Sequence, residues 1–311
     1  MILAVTLNAS IDKTMVVPHL SLNGRRYADE VLSIPGGKGI NVARVLHTLA
    51  APVTVLGFGA GHNGQFVTEQ LELEGIPCEL VPVPGESRMC LTLVDMLEHT
   101  HTEINERGPE VPAHSLQAWH ESYRRWLPRA RAVILSGSVP PGVPDSVYRT
   151  CIEEARAARL PVALDAKNDA LRLGMEAGPD LIKPNREELS DLVGEPLPTM
   201  DDVLRVAPRL GPALISLGEE GAILSTPSVC LHGWLKRGTI VSPVGSGDSL
   251  LAAFMWGRLQ GRPEEECLRL GVAAGLANAW HLGAGSCRWE EIFNLAAQVQ
   301  VRELVLRSAA G

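Results

Sequence analysis

The run Val244-Gly-Ser-Gly-Asp248 puts a carboxylate directly after a turn with two glycines, and Ser249–Gln260 beyond it has a helical pattern. Glycines let the backbone fold tightly and aim its N–H groups at an anion from a helix N-terminus. Phosphoryl transfer to an alcohol builds charge on the transferred oxygens and needs an acceptor for the hydroxyl proton. Gly245, Ser246 and Gly247 fit the first requirement and Asp248 fits the second. An aspartate capping an ordinary helix is the competing reading.

Four other clusters carry chemistry-bearing residues. Pro35-Gly-Gly-Lys-Gly-Ile-Asn-Val-Ala43 is a glycine-rich turn entering an amphipathic helix, with Asn41 able to donate to and accept from hydroxyls. It is not a Walker A loop, because Gly39 follows Lys38 where Ser or Thr belongs. Lys183-Pro-Asn-Arg-Glu-Glu188 places Asn185 and Glu188 three apart, on one face of a helix's first turn. That pair suits Mg²⁺, and it equally suits a capping box. Ser216-Leu-Gly-Glu-Glu-Gly221 joins two apolar runs, either as a plain turn or as a loop against nucleotide phosphates. Gly59-Ala-Gly-His-Asn-Gly64 formally matches a dinucleotide fingerprint, but Glu79 precedes the next strand, Leu80–Val83, instead of ending it. A structural glycine turn is the better reading there. Ser136-Gly-Ser138 lacks the flanking glycines of a hydrolase elbow. His99 and His101 have no ligand-spaced partners and read as solvated.

The elements that must position these residues alternate short apolar runs with longer helical patterns, the mark of βαβ units around a mostly parallel sheet. Strands are expected at Ile2–Leu7, Val53–Phe58, Ala132–Ser136, Val162–Asp165, Leu181–Lys183, Ala213–Leu217 and Ala222–Ser225. Helices are expected at Gly39–Leu49, Gly64–Glu74, Asp145–Ala158, Arg186–Leu192, Ser249–Gln260 and Glu264–Trp280. Residues 11–35 and 87–107 break the rhythm as extended, helix-free stretches. A small antiparallel sheet standing off the main body as a lid accommodates them, within one domain spanning 1–311. Their alternating apolar positions exceed what one small sheet can bury, so a homodimer formed lid to lid is expected.

Composition narrows the function classes. The 311 residues carry a net charge of −8, and an acidic chain without basic blocks is a poor partner for nucleic acid or an anionic membrane surface. A phosphorylated ligand must therefore be held by local cations. The six cysteines are scattered without a C-x-x-C pair, which points to reduced thiols rather than a disulfide framework or zinc site. The opening Met-Ile-Leu-Ala-Val-Thr-Leu lacks a basic n-region, and no apolar run reaches membrane-spanning length. A cytoplasmic protein is expected.

Taken together and in order, these motifs resemble the phosphofructokinase B (ribokinase-like) family of sugar kinases over nearly the whole chain. The resemblance rests on Thr6-Leu-Asn-Ala-Ser-Ile-Asp12, Gly36–Ala43, Asn185-x-x-Glu188, Ser216-x-Gly-x-x-Gly221 and Gly245–Asp248. Glu86-Ser-Arg-Met-Cys90, Thr102–Pro109 and Ser136–Gly142 resemble the branch with tagatose-6-phosphate kinase and 1-phosphofructokinase. The resemblance implies a three-layer α/β/α fold with a β-sheet lid, and ATP with Mg²⁺ as cofactors. It implies a phosphorylated ketohexose as partner and Asp248 as catalytic base. It also implies Asp12, Gly36, Gly37, Lys38, Asn41, Arg88 and Ser138 on the sugar phosphate, with Arg26 as a further candidate for the phosphate. Lys183, Asn185, Ser216, Gly218 and Gly221 fall on the nucleotide side, with Asn185 and Glu188 at the metal. Asp165-Ala-Lys-Asn168 departs from the family's usual residues after that strand. Tagatose 6-phosphate, fructose 1-phosphate and fructose 6-phosphate remain open as substrates. A nucleotide-dependent oxidoreductase and a sugar-phosphate-binding regulator without turnover are the rival readings.

Overall fold

In a computed structural model that describes residues 1–98, 100–236 and 240–304, the apolar runs assemble into a ten-stranded sheet. Its strands are β1 (Ile2–Thr6), β4 (Val53–Ala60), β5 (Cys78–Val83), β8 (Ala132–Ser136), β9 (Val162–Asp165), β10 (Leu181–Ile182), β11 (Ala213–Ser216), β12 (Ala222–Ser225), β13 (Cys230–Trp234) and β14 (Gln300–Glu303). The spatial order is β14-β13-β12-β11-β10-β9-β8-β1-β4-β5. Pairing is parallel from β5 through β11 and antiparallel from β11 to β14. β1 and β8 are buried at every residue, as expected where helices cover both faces of a parallel sheet.

Among the described residues, ten α-helices accompany these strands: α1 (Lys38–Thr48), α2 (Gly61–Leu73), α3 (Ala113–Trp126), α4 (Val147–Ala157), α5 (Asn168–Glu176), α6 (Arg186–Val193), α7 (Met200–Val206), α8 (Ser246–Leu259), α9 (Glu264–Ala279) and α10 (Trp289–Ala296). Side chains alternate across a strand, so each strand feeds two separate cores. Ile2 and Ala4 pack with residues of α1, α2, α8, α9 and α10. Leu3 and Val5 pack on the other face with α3 to α7, around Trp119, Tyr123 and Tyr148. This is the three-layer architecture, and the expected strands and helices lie within it. The helices α3, α5, α7 and α10 and the strands β13 and β14 were not expected.

The stretches set apart as a lid form a second sheet from β2 (Ser10–Val16), β3 (Glu30–Gly36), β6 (Arg88–Asp95) and β7 (Thr100–Asn105), in the order β3-β2-β6-β7. This sheet corrects the expectation of an antiparallel lid. β2 pairs antiparallel with β3 and β6 with β7, but the central pair β2–β6 is parallel. β2 and β6 each enter the lid from the same side, after β1 and β5 of the main sheet, so they must run in the same direction. No helix among the described residues is long and apolar enough to cross a membrane. His101 is exposed in β7, His99 lies outside the described residues, and no cluster of metal-ligating side chains occurs among the described residues.

Candidate active site

Helix α8 begins at Ser246, three residues earlier than expected, so Asp248 sits inside its first turn. Gly245 is the N-cap, with left-handed backbone (φ 81°), and a Cβ there would collide with Ala284. No side chain caps this helix. Asp248 instead reaches across the molecule, where its Oδ2 accepts a hydrogen bond of 2.8 Å from Asn41 Nδ2 on α1. That contact, with the missing side-chain cap, speaks against the capping reading of Asp248. The carboxylate orients toward the second glycine motif and does not serve its own helix. Burial pushes its pKa up to about 6, against the pull of Lys38 and Lys183 and with a further push from Asp165. Asn41 Oδ1 is buried beside it and has no hydrogen-bond partner among the described residues, an acceptor left for a ligand hydroxyl.

Two lysines converge on one carboxylate next to this pair. Asp165, fully buried at the end of β9, takes Lys38 Nζ at 2.8 Å on Oδ1 and Lys183 Nζ at 3.2 Å from Oδ2. Burial opposes the charge on Asp165, but Lys183 and Lys38 outweigh it and hold the carboxyl below its usual range. Burial likewise opposes the charge on Lys38, and Asp165, Asp248 and Glu188 reverse that effect, so its pKa is raised. A Cβ on Gly247 would sit 3.2 Å from Lys183 Nζ, which places this ammonium beside the Gly245–Gly247 turn.

Asn185 and Glu188 form the capping box of α6. Glu188 N donates to Asn185 Oδ1 at 2.7 Å, and Asn185 N donates to Glu188 Oε2 at 2.9 Å. The capping reading is thus realised, and the amide oxygen offered for a metal is occupied by the helix. Glu188 Oε1 accepts no hydrogen bond among the described residues and lies 3.7 Å from Lys38 Nζ. Hard oxygen donors of this kind suit Mg²⁺, which keeps much of its water shell. Glu188 therefore fits such an ion, and Asn185 fits as the residue that fixes Glu188.

Several of the residues expected on the sugar side are brought together by lid register. Ser10 pairs with Gly36 on one side and Arg88 on the other, so the three form one cross-strand row. Asp12 lies two residues along, its Oδ1 accepting from Ser10 Oγ at 2.7 Å. A Cβ on Gly36 would collide with that carboxylate, which is why glycine stands there. Burial raises the Asp12 pKa despite the Ser10 hydrogen bond and the nearby Arg88 guanidinium. Gly37 is the N-cap of α1. Arg88 Nε donates to the Asn8 carbonyl at 3.0 Å, while Asn8 Nδ2 reaches Ser138 Oγ at 3.1 Å and the Arg107 carbonyl at 2.9 Å. Arg26 is not drawn into this group. It is exposed, and its guanidinium bonds the His19 carbonyl and Ser21 Oγ in its own loop.

The motifs expected on the nucleotide side share a groove of about 1230 Å³. Asn185, Ser216, Gly218, Gly221, Ser246 and Gly247 lie along it, and Leu235, Ile240, Val241, Val272, Leu276 and Ala279 give it an apolar wall. Such a slot offers an aromatic base a desolvated bed and its phosphates the backbone turns. The lid contributes Val94, Met96 and His101, so the β6–β7 hairpin overhangs the same groove. Gly59–Gly64 stands apart. Glu79 is bound by Ser122 Oγ (2.6 Å) and Trp126 Nε1 (2.7 Å) as an anchor for α3, which leaves the dinucleotide reading without its acidic ligand.

Sequence reasoning missed Asp165 as the hub of the lysines, Asn8 as the joint beneath Arg88, and the apolar wall. The wall had a signal, since Val272, Leu276 and Ala279 recur at helical spacing. A model of the pfkB carbohydrate kinases matches residues 5–291. The chain belongs to the pfkB family of carbohydrate kinases. It is 31% identical to the 1-phosphofructokinase of Bacillus subtilis over 309 residues, covering 98% of this chain and all of that one. Among solved structures it is similar to a protein of Thermotoga maritima described as a possible 1-phosphofructokinase, with TM-score 0.91 and 26% identity over 98% of this chain and all of that one. A ribokinase of Arabidopsis thaliana, 22% identical with TM-score 0.71 over 95% of this chain and 98% of that one, shares the fold. This pfkB member is thus an ATP-dependent sugar kinase, and the regulator without turnover and the oxidoreductase fall away.

Proposed function

We propose that this kinase transfers the γ-phosphoryl group of ATP to the free primary hydroxyl of fructose 1-phosphate, with Asp248 as base. The observation that carries the reading is the buried Asp248 carboxylate, oriented by Asn41 at the mouth of a glycine turn backed by Lys183. The substrate oxygen attacks the γ-phosphorus, its proton passes to an Asp248 oxygen, and the bond to the ADP oxygen breaks. N–H groups of Gly245–Gly247 and the Lys183 ammonium face the charge that grows on the transferred oxygens. Asn41 Oδ1 accepts a sugar hydroxyl, Asp12 another, and Arg88 holds the phosphate already present. Mg²⁺ held through Glu188 would neutralise phosphate charge when bound.

The choice of fructose 1-phosphate over tagatose 6-phosphate and fructose 6-phosphate is supported by the full-length similarity to a 1-phosphofructokinase. A homodimer through the lid is supported by its outer face. There Val31, Met15 and Leu93 align in one cross-strand row and Leu91 and Ile104 in the next, with Val31 and Ile104 more than half exposed. Phosphorus-31 NMR of the product made from ATP and fructose 1-phosphate tests the reading. A new monoester on the C6 oxygen is expected, and inorganic phosphate without a sugar bisphosphate overturns it.

A further inference from the structure

Asn278 lies near the end of α9, is fully buried, and belongs to none of the motifs above. Its amide is spent on two loops. Nδ2 donates to the Val244 carbonyl at 2.8 Å and to Ser246 Oγ at 3.4 Å, on either side of Gly245. Oδ1 accepts from Gly285 N at 2.7 Å.

The strip that Asn278 holds through Gly285 touches both halves of the site. Ala284 is the group that a Cβ on Gly245 would strike. A Cβ on Gly285 would lie 3.0 Å from the Asn41 carbonyl, on the residue that orients Asp248. Arg44 of α1 adds a tie, with Nη1 donating to the Pro35 carbonyl at 2.8 Å and to the Ala284 carbonyl at 3.3 Å. Other side chains on α9, Val272, Leu276 and Ala279, form part of the nucleotide groove wall.

We infer that Asn278 is a positioning residue that fixes the Gly245–Gly247 turn against the strip behind Asn41, setting the anion-binding N–H groups and the base in one geometry. It touches neither ATP nor sugar and acts only through these groups. An amide donates to a carbonyl with one atom and accepts from an N–H with the other whatever the pH, which a carboxyl of the same size does only when protonated. Removal leaves the buried Gly285 N–H unpaired and the half-buried Val244 carbonyl without its tie, and the turn is free to shift. Small misplacement of reacting groups is costly to rate, on the order of 10²-fold for about 1 Å.

The inference rests on the kinase reading of Asp248 and its turn, and the experiment separates the two. Wild type, Asn278→Asp and Asn278→Ala are assayed for ADP release with ATP and fructose 1-phosphate, varying each substrate, from pH 6 to 8. Both variants are expected to lose roughly 10- to 100-fold in kcat, with both KM values within about threefold of wild type. The Asp variant relative to wild type is expected to recover as pH falls, because a protonated carboxyl again donates to the Val244 carbonyl, while the Ala ratio stays flat. Wild-type kcat in either variant overturns the inference, as does a loss confined to KM or an Asp ratio that does not change with pH. Failure of both variants to fold assigns the amide to stability and overturns it as well. A wild type without turnover overturns the kinase reading itself.

Discussion

Replacing Asp248 by Asn separates what the fold wants from what the reaction needs. Burial lifts the Asp248 pKa from its usual 3.8 to about 6. Each unit is worth about 1.4 kcal/mol, so the ionised carboxylate costs the folded state on the order of 3 kcal/mol. The folded pKa lies above the unfolded one, so this group's stabilising contribution is complete below pH 3.8 and lost as pH rises through 6. At pH 8 the wild type bears the whole cost. Asparagine resembles the neutral acid, still accepts from Asn41, and leaves Lys38 and Lys183 paired with Asp165. Asp248→Asn is therefore expected to melt a few degrees higher than wild type at pH 8, with the gain shrinking toward pH 5. Turnover is expected to fall by about 10²–10⁴-fold, because an amide cannot take the hydroxyl proton. Thermal unfolding across pH and a coupled ADP-release assay read the two effects. Retained kcat, or a variant less stable than wild type at pH 8, would refute the reasoning.

Three further outcomes follow from the same geometry. Arg88→Ala is expected to raise KM for the sugar phosphate by roughly 10- to 100-fold, the loss of one charged hydrogen bond of about 1.5–3 kcal/mol, and to leave KM for ATP unchanged. Equal damage to both substrates places Arg88 elsewhere. The wild-type kcat profile is expected to rise with pH through about 6 and then level off, since Asp248 works only when ionised; a profile flat from pH 5 to 8 contradicts that. Leu93→Asp, on the outer lid face, is expected to give a monomer by light scattering, and an unchanged mass distribution between variant and wild type removes the lid as the interface.

Much of the fold was legible because parallel strands buried on both faces are continuous apolar runs, as in Ala132–Ser136 and Val162–Asp165. The lid strands were legible from alternation, but the parallel pairing of β2 with β6 was not, because local pattern does not record which strands meet. Helix α3 carries its own signal in Leu116, Trp119, Tyr123 and Trp126 at helical spacing, diluted by the charged residues between them. Asp248 could be singled out from its glycines. Its orientation could not, since the carboxylate of an N-terminal helix aspartate is free to cap its helix until Asn41 arrives from a motif 207 residues away. Asn185 and Glu188 show the converse, where the spacing allowed cap and metal alike and the backbone took the cap. Asp165 looked like an unremarkable strand end because its two lysines belong to distant motifs.

The central claim is tested most directly by kcat/KM measured side by side for fructose 1-phosphate, tagatose 6-phosphate and fructose 6-phosphate at saturating ATP. The account predicts turnover that depends on Asp248 and is highest with fructose 1-phosphate. A clear preference for either of the other sugars contradicts the substrate assignment, and absence of turnover with all three contradicts the proposed reaction.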